Sequence, residues 1–99
     1  MPTVNASDAR MEALRRRFQD RARADGAALL IALQAEDRQR LLYLAHGLAG
    51  VAGIFGHAEI SAQAAAVEAG LEAGLDEAAL THLVHRLVAA LDEVGQPGG

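Results

Sequence analysis

The chain has 99 residues, 52% of them hydrophobic and only 3% aromatic, with a net charge of −4 and no cysteine. That length sets one domain with a core of Ala, Leu and Val, and the missing thiols exclude disulfides and thiolate metal sites. An acidic chain without a basic cluster, the Arg15-Arg16-Arg17 run apart, argues against nucleic acid as a partner.

Charge is spread unevenly. Residues 1–45 hold eight Arg against six acids, and residues 46–99 hold one Arg against seven acids. The Arg15-Arg16-Arg17 run reads as a solvated helix face. The N-terminus has no basic-then-apolar signal pattern. The longest apolar stretch, Gly47 to Gly56, is too short for a bilayer crossing of roughly 20 residues. A cytoplasmic protein with no membrane partner is expected.

Residues 1–6 and 95–99 read as flexible tails around a single domain over 7–94. Ser7 is a candidate N-cap for a first helix from about Asp8 to Ala35, with a weak point at Asp25-Gly26. Asp37 caps a second helix from about Arg38 to Phe55, and Gly56 suits the left-handed position that ends one. A third helix spans about Ala58 to Ala73 and stops at Gly74. A fourth, capped by Asp76, runs from about Glu77 to Val94.

Apolar residues recur at helical period in the last three segments. The second carries Leu41, Leu44, Ala45, Leu48, Val51, Ala52 and Phe55. The third carries Ile60, Ala64, Val67 and Leu71, and the fourth Leu80, Leu83, Val84, Leu87 and Leu91. No segment alternates with period two. Short connections force neighbouring helices to run antiparallel, so the expected fold is all-α, an antiparallel up-down four-helix bundle.

His46 lies roughly 160° from the centre of the second helix's apolar stripe at about 100° per residue, so it should face solvent. Its surface neighbours are Gln39, Leu42, Tyr43, Ala49, Gly50 and Gly53. Gly50 and Gly53 each cost a helix about 1 kcal/mol relative to Ala. Either they leave a smooth surface for another protein to approach the imidazole, or another helix packs closely on them. Across the hairpin at Gly56-His57, Glu68 stands at nearly the height of His46. A carboxylate there can accept from Nδ1–H, fix the tautomer and leave Nε2 with its lone pair. The competing reading is an ordinary solvated Glu.

Leu44-Ala45-His46-Gly47-Leu48-Ala49-Gly50, followed by Phe55-Gly56, Ile60 and Glu68, resembles the signature of histidine-containing phosphotransfer (HPt) domains. That signature reads Ala-His-x-Leu-Lys-Gly, then Gly six residues on, an aliphatic four later and often Glu or Gln eight beyond. The resemblance, carried upstream by Phe18, Asp37 and Leu41, covers roughly residues 14–92. It implies a four-helix bundle that relays phosphoryl groups stoichiometrically, with no ATP site of its own. His46 would be the phosphoacceptor, Gly50 part of the contact surface and Glu68 the imidazole's partner. Implied partners are response-regulator receiver domains and a (hybrid) histidine kinase. No cofactor would be bound by this chain, because Mg²⁺ would come from the receiver.

One departure stands out: the family's Lys three residues after the His is Ala49 here. A cation at that place would help neutralise phosphoryl charge. Arg38 and Arg40 are weak substitutes about two turns earlier. The departure motivates a second reading, a degenerate domain that docks a receiver or kinase without efficient transfer. A third is a metal-binding helical bundle, since His82 and His85 have a spacing that can grip a metal. No third ligand lies near them in sequence, so no metal site is expected. His57, at the hairpin turn, is expected to be solvated.

Overall fold

The computed structural model describes residues 6–95, and of Ala6 only its helical backbone. The parts of the expected tails at 1–5 and 96–99 lie outside the described residues. Four helices follow in chain order: α1 (Ala6–Gln34), α2 (Arg38–Ile54), α3 (Ala58–Glu72) and α4 (Glu77–Gly95), with no strand among the described residues. They pack as a ring in which α1 meets α2 and α4, and α3 meets α2 and α4. Among the described residues neither diagonal pair brings its backbones within 8 Å, Cα to Cα. This is the antiparallel four-helix bundle that the apolar periodicity predicts.

The connections close by local hydrogen bonding. Asp37 accepts from the Arg40 N–H at 3.0 Å, and Asp76 from the Ala79 N–H at 2.8 Å. Each carboxylate thereby satisfies a donor that its helix leaves free. Gly56 (φ 81°) and Gly74 (φ 73°) take the left-handed conformation after α2 and α3. The residue after each donates back across the last turn, His57 to the Ala52 carbonyl at 2.8 Å and Leu75 to that of Gly70 at 3.0 Å. Glu36 (φ 55°) does the same for α1, with Asp37 donating to the Ala32 carbonyl at 2.9 Å. There the bend falls on a residue with a side chain, which is why no glycine marks it.

Four expectations need correction. Ser7 lies inside α1 rather than at its cap, because the helix already includes Ala6. α1 also passes Asp25-Gly26 unbroken. Gly26 sits against Val88, where an added Cβ would lie 3.5 Å from Val88 Cγ1, so packing on α4 holds the helix there. Gly95, assigned to the tail, belongs to α4 and packs on α1, its absent Cβ standing 3.0 Å from Arg23 Cγ. Lastly, the apolar stripe of α2 is narrower than its periodicity suggests. Leu41, Ala45, Leu48 and Ala52 are buried, Leu44 and Phe55 only half-buried, and Val51 is 42% exposed.

The reason for that last difference is the way α1 lies. Phe18, Ala22, Leu29, Ala32 and Leu33 are its buried side chains, whereas residues 7–17 are all exposed. At 29 residues α1 is about 43 Å long, against about 28 Å for α4. The molecule extends 56 × 24 × 18 Å because α1 overhangs the bundle. α2 pairs with α3, and α1 with α4, and small buried residues lie along these helices: Ala45, Ala52 and Ala64 on the first pair, and Ala22 and Gly26 on α1, where Gly26 meets Val88 and Ala22 lies beside Gly95. Contact between α1 and α2 is the thinnest in the ring. Val51 faces that opening instead of a neighbouring helix.

Candidate functional site

Midway along α2, the His46 side chain stands 76% exposed. Glu68, on α3 and 24% exposed, brings Oε2 to 2.6 Å from His46 Nδ1. An ionised carboxylate can only accept, so in the neutral ring Nδ1 carries the proton and donates it to Glu68. Nε2, on the far side of the ring, keeps its lone pair. The two residues stand level because α2 and α3 form a hairpin whose turn lies about equally far from both. Ser61 pins this pair of helices, donating its hydroxyl to the Ala49 carbonyl at 2.8 Å.

The glycines around His46 divide into two kinds. A Cβ on Gly53 would meet Ser61 Oγ at 3.4 Å, at the edge of ordinary contact, so α3 leaves less room there. Above Gly47 and Gly50 there is nothing within 4 Å, and both are exposed. No packing in the fold asks for glycine at those two positions, which together cost α2 about 2 kcal/mol relative to Ala. They leave bare backbone beside the imidazole, on its C-terminal side.

The remaining expected surface residues spread around this point. Gln39 and Tyr43 are exposed, Tyr43 by 72%, while Leu42 and Ala49 are half-buried. Ala49 leans on the core. Neither arginine considered as a substitute for the absent Lys is directed at His46. Arg38 donates to the Leu75 carbonyl at 3.0 Å and pairs with Glu77 at 3.4 Å, tying α2 to the α3–α4 connection. The Arg40 guanidinium stands 5.7 Å from the Tyr43 ring centre, a cation–π contact.

On its other flank His46 borders a groove of about 480 Å³ between α1 and α2. Tyr43, Leu44, Gly47, Val51 and Phe55 form its α2 wall, and Leu14, Arg17, Phe18, Arg21 and Asp25 its α1 wall. Sequence reading missed this groove. Leu44, Val51 and Phe55 were assigned to the core, and no local signal tells how far α1 stands from α2. Asp25 is half-buried there. Desolvation raises its pKa above 3.8, and the nearby Arg21 charge partly offsets that.

His57 packs against Phe18, a groove residue. It is half-buried, not solvated as expected, and stacks on Phe18 with ring centres 4.8 Å apart and planes 18° apart. Phe55 meets the same ring at 6.3 Å. His82 and His85 are exposed on α4, and among the described residues no three His, Cys, Asp or Glu come together as a metal site. No described helix is long and apolar enough to cross a membrane.

An exposed imidazole held by a half-buried carboxylate, with bare backbone beside it, can act as a nucleophile toward a group delivered from outside. Comparison with known proteins adds one finding. Residues 13–96 match the family model described as Hpt domain. No curated protein and no solved structure matches the chain.

Proposed function

The chain belongs to the Hpt domain family, whose work is phosphotransfer in phosphorelay signalling, and from that premise we propose that it is a phosphorelay intermediate with His46 as its phosphoacceptor. Partners in this reading are response-regulator receiver domains and a histidine kinase. The observation that carries it is the 2.6 Å bond from His46 Nδ1 to Glu68 on an otherwise open ring. In transfer from a receiver, the Nε2 lone pair attacks phosphorus. The P–O bond to the receiver aspartate breaks, and that carboxylate leaves with the electron pair. The ring gains positive charge as the N–P bond forms, and Glu68, already on the Nδ1 proton, offsets it. Glu68 is the carboxylate bonded to His46 and is engaged at Nδ1, so the Mg²⁺ that shields phosphoryl charge belongs to the receiver's acidic pocket. With no ATP-binding loop in the sequence, the protein carries phosphate stoichiometrically.

The test is incubation with phosphorylated receiver domains from the same organism. Wild-type protein takes the label, and His46→Gln does not while keeping its melting temperature, because exposed substitutions usually change stability by less than about 0.5 kcal/mol. A second reading, docking without transfer, is favoured by one observation: Ala49 leaves no cation one turn after His46, and Arg38 and Arg40 are engaged elsewhere. Receivers that bind the wild-type protein yet never label it would establish that reading instead.

A further inference from the structure

Cations do approach the groove beside His46, from the opposite helix. Arg17 and Arg21 line its α1 wall. Around α1, Arg10, Arg17 and Arg21 fall within about 40° of one another at 100° per residue, forming one edge. Leu14 and Phe18 form the strip between that edge and α2. No described residue makes a hydrogen bond or ion pair with Arg17 or Arg21. Arg15 differs: it faces elsewhere on α1 and pairs with Glu12 at 3.8 Å. All three members of the triple-arginine run are exposed, as expected of a solvated face, and the third of them also lines the groove. Across His46 the field has the opposite sign, with Glu68 on α3 in the half of the chain that carries seven acids and one Arg. Asp25, half-buried, is the one acid in the groove.

Resting on the phosphorelay reading, we infer that Arg17 and Arg21, with the apolar strip below them, select which receiver His46 serves, by docking a receiver surface that carries acidic side chains around an apolar one. Charge complementarity commits the groove to that occupant. Apolar lining wants an apolar insert, an arginine edge with only the half-buried Asp25 beside it in the groove wants further carboxylates, and the occupant lies next to the imidazole it must reach. A charge gradient across His46, arginine on one side and carboxylate on the other, also fixes the partner's orientation. Rim charges of this kind act on encounter and discrimination rather than on the chemical step. The receiver's phosphoryl still moves to Nε2 with its aspartate leaving as carboxylate, and the arginines touch neither.

The test separates docking from chemistry by using two phosphodonors. One is a phosphorylated receiver domain chosen by its transfer to the wild-type protein. The other is phosphoramidate, a small donor whose P–N bond breaks to release ammonia as Nε2 bonds to phosphorus, and which needs no docking surface. In the double variant Arg17→Glu/Arg21→Glu, KM for the receiver should rise at least about tenfold with kcat unchanged. The salt dependence of transfer should flatten or reverse, and phosphoramidate labelling of His46 should match wild type. Arg16→Glu makes half that change of charge, away from the groove, and should behave as wild type. An unchanged KM in the double variant overturns the inference, as does an equal effect from Arg16→Glu or a loss of phosphoramidate labelling in a variant that melts normally. The absence of any docking receiver overturns it too. Failure of the phosphorelay reading looks different: neither donor labels His46 in the wild-type protein.

Discussion

At the scale of single residues, the site rests on one hydrogen bond and one departure from family pattern. Hairpin arithmetic made the closeness of His46 and Glu68 legible in the sequence, because two positions equidistant from a tight turn must stand level. The stacking of His57 on Phe18 was not legible, since it joins residues 39 positions apart through a packing choice that no local rule sets. Glu68→Ala removes the acceptor that fixes Nδ1–H, so His46 should shift toward the Nε2–H tautomer. Long-range ¹⁵N spectra of the imidazole would report that shift, and transfer to His46 should slow with it. An unchanged tautomer would deny Glu68 its positioning role. Asp25 makes a different point. Desolvation raises its folded pKa, so the fold favours the protonated acid. Ionised Asp25 therefore costs stability above that raised value, and the cost fades as pH falls toward and below 3.8, where both states are protonated. Asp25→Asn should accordingly raise the melting temperature at pH 7, with the gain shrinking on acidification. Thermal melts across that range check it, and a lowered melting temperature at pH 7 would show that the attraction to Arg21 outweighs desolvation.

At the scale of elements, the helices were legible wherever capping chemistry is local. Asp37, Gly56, Gly74 and Asp76 each act within their own turn, and each did what its side chain or its absence dictates. Glu36 gave no such sign, because a left-handed glutamate is held by its neighbours' hydrogen bonds and not by its own preference. Which residues of α2 are core was legible only in part. Period alone cannot tell an apolar side chain that faces a helix from one, like Val51, that faces a gap. The glycines of α2 give a sharper test. Open space above Gly47 and Gly50 means that Ala fits at either without a clash. Gly50→Ala should stabilise the domain by up to about 1 kcal/mol, read as a higher denaturation midpoint, while weakening receiver docking. At Gly53 the gain should be smaller, because Ser61 stands at contact distance. A destabilised Gly50→Ala would show that backbone strain, not a docking surface, keeps glycine there.

At the scale of the whole molecule, two close helix pairs meet along a thin seam. The overhanging start of α1 adds length without adding core, since residues 7–17 are all exposed. Removing residues 1–12 should therefore move the melting temperature by no more than about 4 °C, provided Phe18 and its ring contacts stay. A larger fall, measured by circular dichroism, would mean that the overhang supports the fold. The seam itself has a wider consequence. The nucleophile and the carboxylate that orients it both belong to the α2–α3 pair, whereas the arginine edge belongs to α1. Reactivity and partner choice are thus inherited on separate helices. A chimaera that grafts the outer face of another Hpt domain's α1 onto this bundle should keep its chemistry and change its allegiance, so α1 is where duplicated copies of such a protein could diverge into insulated signalling lines without any change near His46.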